Sequence, residues 1–211
     1  VSQTVHALLT AAGGILAGLA LAVVVLWRQQ YALRTARYEA THDDVTSLPN
    51  RRLFLTRLRA ALNDNTPVGV VLLDLNRFKA VNDSLGHEVG NDLLDQVGRR
   101  LAGLPAPVEV AARLSGDEFA LLVTGDRDDT AAAAHAAWQA IADNFIRVVN
   151  GDLRVTASVG YTHVNRADAS PRQLLSQADS AMYEAKRASV GVQEYLPHRT
   201  ATVRSRDRHN G

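Results

Sequence analysis

Val108–Val123 reads VEVAARLSGDEFALLV: two short strand-like segments, Val108–Leu114 and Phe119–Val123, around the tetrapeptide Ser115-Gly116-Asp117-Glu118. Strand-length runs on either side of a short polar turn containing glycine predict a β-hairpin with two acids at its tip. Working outward, Val68–Leu75 (VGVVLLDL) is a nearly unbroken apolar run, which predicts a strand buried on both faces. Arg77–Leu101 reads as largely helical, with Gly86 and Gly90 expected to interrupt or bend it. Thr130–Val149 is expected to be an Ala-rich helix, Asn150-Gly151 a turn and Leu153–Val164 a further strand. Ser170-Pro171 pairs a capping residue with proline at the first helical position and opens a helix to about Arg187. This order predicts an α+β sandwich, with helices packed on a mainly antiparallel sheet.

The composition sets limits on function. A net charge of +1 gives no concentrated basic face for nucleic acid, so no nucleic-acid partner is expected. Cysteine is absent, which excludes disulfide frameworks and thiolate metal sites. Residues 1–27 contain no Asp, Glu, Lys or Arg, and Ala7–Trp27 is almost wholly apolar. Those residues as a helix span roughly 31 Å, the thickness of a bilayer's hydrocarbon core. Arg28, Arg34 and Arg37 come directly after the run, the reverse of the charge order in a cleaved signal peptide. The expectation is a single-pass anchor over residues 1–27 in the cytoplasmic (inner) membrane, with the globular part of the chain on the cytoplasmic side. Gly14 and Gly18 put small residues on one face, which would let two such helices approach closely. Residues 28–41 read as a helical connector, 42–195 as the globular domain, and 196–211 as a disordered basic tail.

Asp74 closes the buried run, and a carboxylate there is costly unless it is exposed or paired with a cation. If the hairpin lies beside that strand, Asp74 and Asp117 converge into the oxygen-rich kind of site that hard cations such as Mg²⁺ prefer. Lys79 lies one helical turn onward, where a cation could meet phosphate, and Gly116 allows close backbone approach in the turn.

Five separated blocks then resemble, in order, the motifs of the GGDEF family: Asp43–Phe54 (DDVTSLPNRRLF), Asp74–Leu94 (DLNRFKAVNDSLGHEVGNDLL), Arg113–Phe119 (RLSGDEF), Thr156–Gly160 (TASVG) and Ala178–Lys186 (ADSAMYEAK). The resemblance implies a diguanylate cyclase, condensing two GTP into cyclic di-GMP across a homodimer and releasing two pyrophosphates. It implies Mg²⁺ (or Mn²⁺) held by Asp74, Asp117 and the carbonyl of Leu75. Glu118 is implied at the reacting hydroxyl or a second metal, and Phe78 and Lys79 at the phosphates. Asn82 is implied at the guanine edge and Lys186 at the terminal phosphate. His87 is expected to be a packed or hydrogen-bonded histidine. Arg51 or Arg52 is expected to pair with Asp43, Met182 and Tyr183 to form the buried face of the last helix, and Ser158 and Gly160 to make a tight packing point.

The sequence departs from the family at four places. Ser115 replaces the first glycine of the hairpin motif, and serine does not tolerate a strongly positive φ. Asn91 replaces an aspartate that would accept two hydrogen bonds from guanine; an amide offers one acceptor and one unsuitable donor. Val190 stands where an arginine is common, with Arg187 as a nearby substitute. Ala106 and Glu109 occupy the positions of an inhibitory product-binding R-x-x-D, so that site is expected to be lacking. The alternative to an active enzyme is therefore a degenerate domain that binds GTP or a protein partner and regulates without turnover.

Overall fold

The computed structural model describes residues 2–64, 66–143, 145–148, 151–165 and 169–197, and the side chains of residues 2, 4–18 and 20 also fall outside the description. The chain divides into two compact units, Val1–Ala40 and Thr41–Gly211. The first is a single helix, α1 (Ser2–Glu39), whose later part is the expected connector. Its described apolar side chains are bare: Leu21, Val23, Val24, Leu26 and Trp27 are each more than half exposed. Among the described residues, no helix is long and apolar enough to cross a membrane. The anchor expected over residues 1–27 rests largely on side chains outside that set, and so do the membrane partner and location that depend on it. The tail beyond residue 197 lies outside the described residues as well.

The second unit is built around β1 (Val68–Leu75), as its apolar run requires. Val68, Val70 and Leu72 face one core; Val71, Leu73 and Leu75 face the other. The hairpin strands are β2 (Val108–Ser115) and β3 (Glu118–Thr124), and the long strand after them is β6 (Ala157–Val164). With β7 (Val192–Glu194) the sheet order is β2-β3-β1-β6-β7, antiparallel except for the β6–β7 pair. One face carries α2 (Arg51–Asn63) and α6 (Pro171–Ala188); the other carries α4 (His87–Ala102) and α5 (Arg127–Ala142). The expected α+β sandwich is therefore present.

Several elements differ from expectation for local reasons. The helical stretch after β1 is two helices, α3 (Phe78–Leu85) and α4. Gly86, at φ 89°, separates them, whereas Gly90 lies inside α4 without interrupting it. The Ala-rich helix α5 starts earlier because Asp126 and Asp129 form a reciprocal capping box. It ends at Ala142, and Ile146–Val148 forms instead β4, paired with β5 (Gly151–Leu153). The expected strand from Leu153 is thus split into β5 and β6. Two elements escaped the sequence reading: α2, capped by the Asn50 side chain, and the three-residue β7. Ser170 caps α6 as anticipated, its hydroxyl accepting from the Gln173 N–H.

Gly160 shows how closely α6 sits on the sheet. A Cβ there would come within 2.0 Å of the Met182 backbone nitrogen and 2.3 Å of the Ala178 carbonyl oxygen. Backbone cannot rotate aside, so Gly160→Ala is expected to cost about 2–3 kcal/mol. A fall in the urea midpoint at constant slope would report it; an unchanged midpoint would mean that α6 yields.

Candidate active site

The site forms where β1 and β3 end together. Antiparallel register puts Asp74 opposite Glu118 on one side and Ser158 on the other. The Leu75 N–H donates to the Asp117 carbonyl at 3.3 Å, which fixes the hairpin turn against the end of β1. Asp74 and Asp117 do converge as their sequence positions suggested. Burial holds the Asp117 carboxyl above the usual carboxylate range; Asp74 and Glu118 push the same way, against its own backbone N–H and Lys186. Lys186 reaches in from α6, its Nζ donating to Asp74 Oδ1 at 2.7 Å. Asp74 is therefore cation-paired, as a carboxylate at the end of a buried strand must be.

Among the described residues, no three His, Asp or Glu side chains are grouped to hold a metal ion. Of the expected donors Asp74, Leu75, Asp117 and Glu118, two are engaged by protein partners. Lys186 takes Asp74, and Ser115 Oγ donates to Glu118 Oε2 at 2.8 Å. What remains is a two-carboxylate, hard-oxygen site with an ammonium resting on it. That suits Mg²⁺, which commonly takes one or two protein carboxylates and completes its shell with water and phosphate.

Ser115 causes no backbone strain: among the described residues, those outside glycine with positive φ are Ser47, Arg77 and Ser189. A register shift between Arg113 and Ser115 carries the turn instead, with Gly116 at φ 46°. The substitution acts through its hydroxyl on Glu118 rather than through the fold.

Behind the hairpin, Arg113 supplies a brace. Its Nη1 donates to both oxygens of Asp43, at 2.8 and 3.0 Å, and its Nε to the Gly116 carbonyl at 2.9 Å. Asp43 also accepts from the Thr46 N–H and hydroxyl. Burial opposes ionisation of Asp43, but Arg113 and Thr46 together hold its carboxyl below the usual range. The expected partner was Arg51 or Arg52; both are exposed on α2, and the pairing belongs to Arg113.

On α3, Phe78 is half-buried against the core and Lys79 is exposed. Asn82 Oδ1 is buried without a hydrogen-bond partner. It lies where a Cβ on Gly90 would come within 1.9 Å of it, so Gly90 is the space that Asn82 occupies. An orphaned polar atom on the helix after the carboxylates is the kind of group a ligand's N–H satisfies. Asn91, on the next helix, is exposed. His87 is exposed at the start of α4 rather than packed, and Tyr183 is 56% exposed while Met182 is buried. The Arg187 guanidinium lies over the Tyr183 ring, 5.8 Å from its centroid, on the outer face of α6. Glu109 accepts from the Thr124 hydroxyl at 2.9 Å.

The sequence pattern described as "Diguanylate cyclase, GGDEF domain" matches residues 40–191. The chain belongs to the GGDEF family. It is 38% identical over 167 residues to diguanylate cyclase TpbB of Pseudomonas aeruginosa, covering 73% of this chain and 37% of that protein. It is 34% identical over 175 residues to the probable diguanylate cyclase DgcE of Escherichia coli, covering 80% of this chain and 16% of DgcE. Among solved structures, the coiled coil and GGDEF domain of Caulobacter crescentus DgcB in complex with c-di-GMP superposes with TM-score 0.77. Identity there is 27%, over 84% of this chain and 97% of that one. The isolated GGDEF domain of TpbB gives TM-score 0.70 at 32% identity, over 77% and 99%. The chain thus spans well under half the length of these curated relatives. The fold of this GGDEF domain and its family-level link to cyclic di-GMP synthesis stand on those matches.

Proposed function

We propose that this GGDEF domain is a diguanylate cyclase: two GTP condense to cyclic di-GMP with release of two pyrophosphates, each domain of a homodimer holding one GTP. The meeting of Asp74 and Asp117 where β1 and β3 end together, with Lys186 on Asp74, is the observation that supports the reading. Asp74 and Asp117, with the Leu75 carbonyl, are the groups that would hold Mg²⁺ or Mn²⁺. A divalent ion there neutralises phosphate charge and favours ionisation of a hydroxyl. In each half-reaction a 3′-oxygen forms a bond to the partner nucleotide's α-phosphorus as the bond to the bridging oxygen breaks and pyrophosphate leaves. Glu118 would act at the reacting hydroxyl, taking its proton, or at a second metal. Lys79 and Lys186 offset charge on the phosphates, Phe78 packs the helix beside them, and Gly116 lets the turn approach. Asn82 offers its unpartnered oxygen to a guanine N–H. Phosphoryl transfer depends chiefly on such positioning and charge neutralisation.

The Ser115 hydroxyl on Glu118 favours a second reading, a domain that binds GTP or a protein partner without turnover. Incubating the chain with GTP and Mg²⁺ separates the two: cyclic di-GMP in the mixture supports the cyclase, while tight GTP binding with none formed supports the binder. Location at the cytoplasmic membrane, domain inside, is part of the same proposal. It rests on the uncharged Ala7–Trp27 followed by Arg28, Arg34 and Arg37, and recovery of the chain in the soluble fraction would overturn it.

Asn91→Asp should tighten GTP binding by about 1–2 kcal/mol, roughly 5- to 30-fold, by restoring a two-acceptor edge for guanine. Titration calorimetry reads it directly; unchanged affinity would mean that another group already reads the base.

A further inference from the structure

β1 ends at Leu75, and the chain turns almost at once into α3, with only Asn76 and Arg77 between them. Arg77 holds a left-handed backbone, φ 61° and ψ 23°, a conformation unusual outside glycine. Such a backbone persists where its surroundings fix it. Asn76 supplies the fixing. Its N–H donates to the Thr156 carbonyl at 2.8 Å. In its side chain, Nδ2 donates to Thr156 Oγ1 at 3.0 Å, and Oδ1 accepts from Ser158 Oγ at 2.9 Å. Both polar ends of the amide are therefore used, and each ties the turn to the β6 side of the sheet. Ser158 is buried, so its hydroxyl needs the acceptor that Asn76 provides.

These bonds aim a carbonyl. A trans peptide is planar, and its C=O and N–H point in opposite directions. The Asn76 N–H points to Thr156, so the Leu75 carbonyl of the same peptide points away from it, to the hairpin side. The Leu75 N–H agrees: it donates to the Asp117 carbonyl, and in a strand the two polar groups of one residue share a side. Rotating that peptide would break the Asn76 clasp.

We propose that Asn76 is a positioning residue for the metal site, anchored by Thr156 and Ser158, which aims the Leu75 carbonyl toward Asp117 and so sets affinity for the divalent ion. The inference rests on the proposed divalent-ion and GTP reading and adds three residues which that reading does not use. Mg²⁺ demands near-ideal octahedral geometry, so a carbonyl free to swing would be a poor ligand for it. An amide holds the carbonyl without adding a third negative charge at the end of β1, where Asp74 and Asp117 already repel each other.

The test titrates the full chain with GTP by calorimetry, once in Mg²⁺ and once in EDTA. Asn76→Ala should bind GTP about 10- to 100-fold more weakly in Mg²⁺, the usual loss when a group behind a metal ligand is removed. Its affinity in EDTA should equal that of the wild type. Thr156→Val, a change at an exposed position, should act in the same direction but less, while Thr156→Ser, which keeps the hydroxyl, should match the wild type. Equal weakening in Mg²⁺ and EDTA would mean that Asn76 merely shapes α3, and overturns the proposal. Unchanged affinity of Asn76→Ala in Mg²⁺, with a wild type that does respond to the ion, overturns it as well and leaves the cyclase reading standing. A wild type that binds GTP no better in Mg²⁺ than in EDTA, or not at all, removes the metal reading and the proposal together.

Discussion

Asp117→Asn is expected to lower cyclic di-GMP formation by about 10²–10³-fold, as loss of a single group stabilising transition-state charge does elsewhere. Asp74→Asn should act alike. The stability effects have the opposite sign. A carboxyl raised by burial and by neighbouring acids binds its proton more tightly folded than unfolded, so its ionised form costs stability at neutral pH. Neutralising Asp117 removes that cost, and the variant should melt at an equal or higher temperature than the wild type. A dead but stabilised protein separates loss of chemistry from loss of fold. Full activity in Asp117→Asn would show that the reacting groups lie elsewhere.

Breaking the brace between Asp43 and Arg113 should harm both fold and turnover. The two side chains are only 19% and 11% exposed, so removing one partner strands a largely buried charge. Complete burial would cost about 3–5 kcal/mol; with this residual exposure Arg113→Met is expected to cost about 2–3 kcal/mol. Because Arg113 also holds the Gly116 carbonyl, the hairpin tip should shift, and displacement of about 1 Å there can cost roughly 100-fold in rate. Acid provides a second handle through Asp43→Asn. Asp43 has a lowered folded value, so its contribution is complete above the unfolded carboxylate value of about 3.9 and is lost as pH falls through the lower folded one. The urea midpoints of wild type and Asp43→Asn should therefore differ at pH 7 and draw together below about pH 3. A constant difference would show that the pair does not carry the stability.

β1 was legible because it is a nearly unbroken apolar run of strand length, and the hairpin because two strand-length segments flank a short polar turn with glycine. The meeting of Asp74 with Asp117 followed once the hairpin was laid beside β1. Partners distant in the chain were not legible. Asp43 has two arginines in the ten residues that follow it, yet it takes the one 70 positions away. α2 was hidden because its cap, Asn50, sits inside a polar motif, and its apolar residues mean little until the sheet supplies a surface. Gly90 looked like a helix breaker; its purpose is room for Asn82, a packing fact with no sequence signal. The bond from Ser115 to Glu118 likewise depends on the register shift in β2, which residue type does not reveal.

The contact between Lys186 and Asp74 joins positions 112 residues apart, and Lys186 lies on α6, after which β7 is the one further element among the described residues. On the ribosome, β1 and the hairpin emerge long before that lysine does. Until α6 is made and docked, Asp74 lacks the Lys186 ammonium that pairs with it. Domains rich in such distant pairings also fold slowly, since long loops must close before the contacts reward them. A nascent or C-terminally clipped chain would thus carry the acidic tip without its lysine, and the paired site would be complete only after α6 is made.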